Sequence, residues 1–216
     1  SQSLVEAAAS WMQYGTAFAL VEIGAIGPDD AVVINAASSS VGLAAIQIAN
    51  DRGAVPIAVT RGRDKAAALH VAGAAHVIVS DEEDVAGRIR AITGDRGANV
   101  AFDAVAGPGL TALAGSMASK GTIIVYGMLA GYEVSLSLLP LTAGNVTLRG
   151  FAADLLVREA DSRARLVDYV GSRLASGAFR PIIDRTFALE DIAEAHKWLE
   201  GNRQIGKIVV TTGRSG

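Results

Sequence analysis

Residues 31–42, AVVINAASSSVG, set a β-branched apolar run directly against a cluster of small residues that opens a helical pattern. Working outward from the first run at 31–35, five more short apolar runs follow at 55–60, 76–79, 100–104, 122–126 and 146–149. Helical patterns at 41–50, 64–72, 82–92 and 108–118 separate the first five. Repetition of run and helix marks a parallel sheet with crossover helices. The runs are apolar throughout rather than alternating, so helices are expected on both faces. The reading is α/β: a doubly wound, parallel, six-stranded Rossmann sheet, with one irregular crossing at 130–145 before its last strand.

Around this sheet, residues 4–23 read as one lead-in helix, stopped by Gly24 and by Gly27-Pro28, and 158–176 as a trailing helix closed by Gly177. The stretch 181–212 then gives a strand, a helix at 189–200 and a terminal strand at 207–211. The expected division is therefore residues 1–177, the Rossmann domain with its flanking helices, and residues 178–216, a C-terminal strand-helix-strand segment.

Composition narrows the function. Half of the 216 residues are apolar, enough to bury a substantial core. Lys and Arg number 19 against 22 Asp and Glu, with no long block of either sign, so neither nucleic acid nor a membrane surface is an expected partner. The absence of cysteine excludes disulfides and thiolate metal sites from this chain. No apolar run reaches the length of a membrane span and no signal pattern opens the chain, which leaves cytoplasm as the default expectation.

The turn itself lacks a literal G-x-G-x-x-G, since residues 37–42 are Ala37, Ser38, Ser39, Ser40, Val41 and Gly42. Its context nevertheless fits a dinucleotide fingerprint: it follows a strand, opens a helix and lies in a unit of about 30 residues. Gly42 would allow close packing of helix on strand. Ala37 and Ser39 are small enough for a pyrophosphate to approach the amides at the positive helix end, and three hydroxyls add donors. An ordinary tight strand-helix connection is the competing reading. A second candidate, Gly107-Pro108-Gly109-Leu110-Thr111-Ala112, carries a proline that removes an amide, and reads as a helix start with Pro at the first helical position.

After the second strand the chain continues Thr60-Arg61-Gly62-Arg63-Asp64-Lys65. An NAD site places Asp or Glu near this point, whereas an NADP site tolerates Arg beside the 2′-phosphate. A hydroxyl followed by three cations suits a phosphate monoester, which Arg can grip in a bidentate fork. Scattered solvated charges at a helix start are the plainer alternative, with Asp64 as a cap or first-turn acid. A methyltransferase would want an acid where Thr60 and Arg61 stand.

Taken together, AAASWMQYGTAF, VVINAASSSVGLAAIQIA, VTRGRDKAAALHVAGAAHVI, FDAVAG, IIVYG, LRGF and FALEDIAEAHKWLEGNRQIGKIVV resemble, in their order and spacing, the medium-chain, alcohol-dehydrogenase-like reductases, specifically the quinone oxidoreductase branch. The resemblance spans nearly the whole chain. It implies that NADP(H) is the cofactor, with Ala37 to Gly42 at the pyrophosphate and Thr60, Arg61, Lys65 and Ser80 at the 2′-phosphate. It further implies Ala104, Val105 and Ala106 along the cofactor, Tyr126, Gly127, Met128, Phe151 and Ala153 beside the carboxamide, Thr16 facing the nicotinamide and Lys207 near the pyrophosphate. For Tyr126, Phe151 and Lys207, roles as core or edge residues stand as alternatives.

By the same resemblance, residues 178–216 return to a catalytic domain whose N-terminal part would precede this chain, which begins at Ser1. The implied activity is hydride transfer from NADPH to a small-molecule acceptor: a quinone, enone or activated carbonyl. A fragment of this kind should bind NADPH yet turn over little alone; a non-enzymatic NADPH-binding sensor or interaction module is the alternative. Family members pair the edge strand, so a homodimer through 146–149 is expected. His70, His76 and His196 lie in unrelated elements, so no metal site and no Ser-His-acid arrangement is expected. No catalytic residue is nominated.

Overall fold

The computed structural model describes residues 3–213. Three short helices lead in: α1 (Leu4–Ala8), α2 (Trp11–Ala17) and α3 (Ala19–Glu22). The single helix expected over 4–23 is thus divided. Near the first break Ser10 Oγ donates to the Glu6 carbonyl at 2.6 Å and the Gln13 side-chain amide donates to the Ala9 carbonyl. Such back-bonding takes acceptors that an uninterrupted helix uses for its own amides.

There follow β1 (Ala31–Ile34), α4 (Ser40–Asp51), β2 (Val55–Thr60), a 3₁₀ turn (Arg63–Lys65), α5 (Ala66–Val71), β3 (His76–Val79) and α6 (Val85–Thr93). The chain continues through β4 (Ala98–Asp103), α7 (Gly109–Ala114), β5 (Met117–Val125), α8 (Leu138–Gly144) and β6 (Thr147–Gly150). All six strands pair in parallel, in the order β3-β2-β1-β4-β5-β6. β1 is central, with Val32 opposite Pro56 on one side and Val100 on the other.

Two cores explain why the strands read as continuous apolar runs. Val32, Ile34, Ala58, Val100, Phe102 and Ile124 join the core shared with Phe18, Leu20, Ile46 and Leu166, whereas Val33, Ile57, Val59, Ala101 and Ile123 join that of Ile89, Leu110 and Leu113. Successive residues point to opposite faces, so burying both faces requires an apolar residue at each step.

Three further boundaries differ from the sequence expectations. The helix expected over 108–118 ends at Ala114, because Ala98 N–H donates to the Ser116 carbonyl at 3.0 Å and Ala98 pairs with Met117, drawing that backbone into the sheet. The crossing at 130–145 contains α8, whose Pro140 sits in the first turn, where an amide is dispensable, and whose end is closed by left-handed Asn145 at φ 51°. The trailing helix begins two residues later than expected, as α10 (Ala160–Ser176), and extended Glu159 separates it from an additional short helix, α9 (Asp154–Arg158).

The C-terminal segment forms β7 (Ile183–Ala188), a 3₁₀ turn (Leu189–Asp191), α11 (Ile192–Glu200) and β8 (Lys207–Thr211), with β7 and β8 paired in parallel. It is fastened to the main sheet's helical layer by Gln47, which accepts from Arg180 N–H and donates to the Arg180 carbonyl, both at 3.0 Å. Among the described residues, no helix is long and apolar enough to cross a membrane.

Candidate functional site

Parallel pairing brings every strand's carboxyl end to one edge. Asn35, Arg61, Ser80, Ala104, Tyr126 and Phe151 directly follow β1, β2, β3, β4, β5 and β6 in turn. In sheets of this topology the ligand crevice lies outside that edge, where strand order reverses, here between β1 and β4.

At the reversal, Ala36 adopts a left-handed φ of 50° and its amide donates to Asn35 Oδ1 at 2.9 Å. Ala37 N–H donates to the Val59 carbonyl at 3.1 Å. Ser39 is the N-cap of α4, its hydroxyl accepting from Gly42 N–H at 3.0 Å. The Ser40 and Val41 amides begin the helix, where no intrahelical acceptor is available. Gly42 is obligatory for the packing: a Cβ there would lie 2.6 Å from both Cα and the carbonyl oxygen of Ala37. The positive helix end faces a cavity lined by Ser39, Ser40, Gly206 and Lys207.

Asp103, the last residue of β4, is 1% exposed and joins three partners across the reversal. Its Oδ1 accepts from Asn35 Nδ2 and Val105 N–H, both at 2.9 Å, and its Oδ2 accepts from Ala106 N–H at 3.0 Å. The carboxylate therefore shapes both the first turn and the 104–106 loop. Neither Asn35 nor Asp103 was nominated from sequence; their shared signal is a polar residue at the end of an otherwise apolar strand.

The three cations after β2 have separate environments. Arg63 is ion-paired with Glu82. Lys65 Nζ donates to the Asn202 and Gln204 carbonyls at 2.5 and 3.1 Å. Arg61 is exposed, and among the described residues its guanidinium forms no ion pair or hydrogen bond. Thr60 is buried, and its carbonyl accepts from Ser80 N–H at 2.8 Å, setting exposed Ser80 beside it.

Beyond β5, Tyr126 stacks on Phe102 with ring centroids 4.0 Å apart. Its hydroxyl is buried beside the Ser39 side chain, and burial, reinforced by the negative charge of Asp103 and opposed by the interaction with Ser39, raises its pKa well above the ordinary tyrosine range. Gly127 lies so close to β4 that a Cβ would be 2.7 Å from the Ala104 carbonyl oxygen. The backbone after it rests on the 104–106 loop through Leu129 N–H to Ala104 and Ala130 N–H to Val105. Met128 is exposed, whereas Phe151 is buried in the core and its amide donates to the Val125 carbonyl at 2.8 Å.

Two cavities gather some of the expected residues. Ser39, Ser40 and Lys207 line one of about 170 Å³ together with Gln204 and Gly206. There burial alone pushes the Lys207 ammonium below the usual lysine range, and Gln204 Oε1 is buried without a hydrogen-bond partner among the described residues. Thr16 and Ala153 line an apolar cavity of about 380 Å³ between α2 and the α9–α10 region, with Trp11, Val157 and Leu166. The hydroxyl of Thr16 donates to the Met12 carbonyl at 2.8 Å. Thr60, Arg61, Lys65, Ser80, Ala104, Val105, Ala106, Tyr126, Gly127 and Met128 line neither cavity, but stand along the same sheet edge.

The helix end at Ser39 and Ser40, which faces a cavity shared with Lys207, fits a polar ligand laid across the reversal. Among the described residues, no three His, Asp or Glu side chains gather as metal ligands.

Residues 40–164 match the zinc-binding dehydrogenase family. This chain belongs to that family, the medium-chain dehydrogenase/reductases. A putative quinone oxidoreductase of Bacillus subtilis, YhfP, is 30% identical over 83% of this chain and 53% of its own length. The crystal structure of an NAD-dependent alcohol dehydrogenase superposes with a TM-score of 0.87 at 29% identity, covering 98% of this chain and 60% of the other. A mycobacterial protein complexed with NADPH superposes with a TM-score of 0.89 at 25% identity, covering 97% and 65%. The chain spans about half the length of several curated relatives it matches and about a tenth of others.

Proposed function

We propose that this chain is the cofactor-binding portion of an NADPH-dependent oxidoreductase that reduces a quinone, enone or activated carbonyl. The observation that carries the NADPH reading is Arg61: an exposed guanidinium with no ion pair among the described residues, directly after β2, where an acidic residue would favour NAD. The mycobacterial relative complexed with NADPH and the quinone oxidoreductase from B. subtilis support it. The similarity to an NAD-dependent dehydrogenase argues the other way, and the position of Arg61 supports the NADPH side.

In this reading the Ser40 and Val41 amides, with Ser38 and Lys207, hold the pyrophosphate, and Arg61 with Thr60 and Ser80 holds the 2′-phosphate. Ala104 to Ala106 line the middle of the site. Tyr126 to Met128, Phe151, Ala153 and Thr16 bound its nicotinamide end. Bound there, the cofactor would supply the hydride. The chain's own residues orient it and exclude water, and need no acid or base of their own for that work.

The apolar cavity beside Thr16 has exposed Trp11, Met12 and Val157 around it, which supports a second domain closing over this face. Residues 178–216 would belong to that domain, as its returning segment. Two copies of the chain would join along β6, all four of whose residues are exposed.

Titration of NADPH into the isolated chain, followed by nicotinamide fluorescence, tests the assignment. Saturable one-to-one binding is expected, with little or no quinone-dependent oxidation. Absence of binding overturns the proposal, and robust turnover by this chain alone overturns its division of labour.

A further inference from the structure

The pairing of β7 with β8 is irregular at one point. Ile183 stands opposite Lys207 and Arg185 opposite Ile208, so Asp184 is the extra residue of a bulge. A bulge takes its unpaired residue out of the strand's alternation and re-aims the side chain. Here the carboxylate is aimed at the loop between α11 and β8. Asp184 Oδ1 accepts from Ile205 N–H at 3.0 Å, and its Oδ2 accepts from the Trp198 indole N–H at 2.7 Å. A carboxylate is a stronger acceptor than a neutral group. Over the Trp198 ring lie the Arg185 and Arg203 guanidiniums, 3.7 and 4.2 Å from its centroid, so the indole that Asp184 grips is itself held.

The residues that follow Ile205 reach the dinucleotide turn. Gly206 N–H donates to the Ser38 carbonyl at 2.9 Å, Ser39 and Gly206 form an isolated parallel bridge, and Lys207 N–H donates to the Ile182 carbonyl at 2.9 Å. Gly206 has a φ of 103°, and a Cβ there would collide with the Ile182 carbonyl oxygen. The backbone thus passes between the turn and the start of β7 with no room for a side chain. Gln204, Gly206 and Lys207 become one wall of the cavity whose other wall is Ser39 and Ser40. Asp184 does not line that cavity and acts on it through Ile205.

We propose that Asp184 is a positioning residue for the cofactor's pyrophosphate, its bulged carboxylate setting loop 201–206 so that Gln204 and Lys207 face the amino end of α4. The inference rests on the reading of this cavity as the pyrophosphate site, and it gives Asp184 no contact with the cofactor. Without the carboxylate, the Ile205 and Trp198 N–H groups lose their acceptor together. The loop would keep its Gly206 anchor on the turn and lose the orientation of the residues on either side of it.

ADP-ribose, which carries the pyrophosphate without a 2′-phosphate or a nicotinamide, is the probe. In calorimetric titration Asp184→Ala should weaken its binding about tenfold, and Trp198→Phe, which removes one of the two donors, should weaken it less. Asp51→Ala controls for stability alone: Asp51 ends α4, far from its amino end, and accepts from the Tyr169 hydroxyl at 2.6 Å and from Arg173 at 2.8 Å. That change should lower the thermal midpoint and leave ADP-ribose affinity within about twofold. Equal losses of affinity in Asp51→Ala and Asp184→Ala would overturn the positioning role. If Asp184→Ala does not fold, amide exchange in the unaltered chain decides: saturating ADP-ribose should slow exchange at Ile205 and Gly206 about tenfold, and unchanged exchange overturns the inference. Binding that survives Asp184→Ala undiminished overturns the inference alone. Failure of the unaltered chain to bind ADP-ribose overturns the reading of the cavity, and the inference with it.

Discussion

Asn35 Nδ2 donates to Asp103 Oδ1 at 2.9 Å, joining the ends of β1 and β4 where the strand order reverses. Because the same carboxylate also receives the Val105 and Ala106 amides, a single buried group fixes both loops that border the candidate site. Asp103→Ala would leave three donors without their acceptor in a buried setting. We expect a loss of about 2–4 kcal/mol in chemical denaturation. Asp103→Asn, which keeps one acceptor oxygen and the side-chain shape, should lose less, and a smaller loss from Ala than from Asn would contradict this role.

Gly42→Ala tests the closeness of helix and turn. Its Cβ would come within 2.6 Å of the Ala37 backbone, on neither side of which is there a flexible side chain to yield. Displacement of α4 from the turn should destabilise the chain by about 1–3 kcal/mol and weaken NADPH binding measured by titration. Normal stability together with normal affinity would show that the turn tolerates a wider gap than the structure has.

Much of this architecture was legible because it is repetitive. Val32 and Val33 face different cores, and so do Ala101 and Phe102; burial on both faces writes itself into sequence as unbroken apolar runs. The strand-turn-helix at 31–42 was similarly legible, since Gly42 marks a backbone approach that excludes a Cβ. Breaks were harder to read. Ser10 and Gln13 interrupt the lead-in by bonding to carbonyls of their own segment, a choice that helical periodicity does not record. The crossing at 130–145 read as irregular, although α8 lies within it and holds its proline where a helix can accept it. At the site, three neighbouring cations looked equivalent from their spacing. Their partners, Glu82 for Arg63 and the 202–204 carbonyls for Lys65, are set by tertiary structure that lies 19 to 139 residues away.

The exposed edge at β6 makes a separate prediction. Leu148 is 39% exposed on a strand paired on one side by β5. If two copies join there, light scattering should give a dimer, and Leu148→Lys, which sets like charges near each other across the two-fold axis, should give monomers with an unchanged thermal transition. A strict monomer in the unaltered chain would count against the shared edge.

Titrating NADPH and NADH into the unaltered chain and into Arg61→Ala tests whether Arg61 selects the cofactor. NADPH should bind the unaltered chain more tightly by about ten- to a hundredfold, the range of one charge-assisted contact to phosphate. Arg61→Ala should remove most of that preference while leaving NADH affinity close to its original value. Equal affinities for the two cofactors in the unaltered chain, or a preference that survives Arg61→Ala, would contradict selection by Arg61.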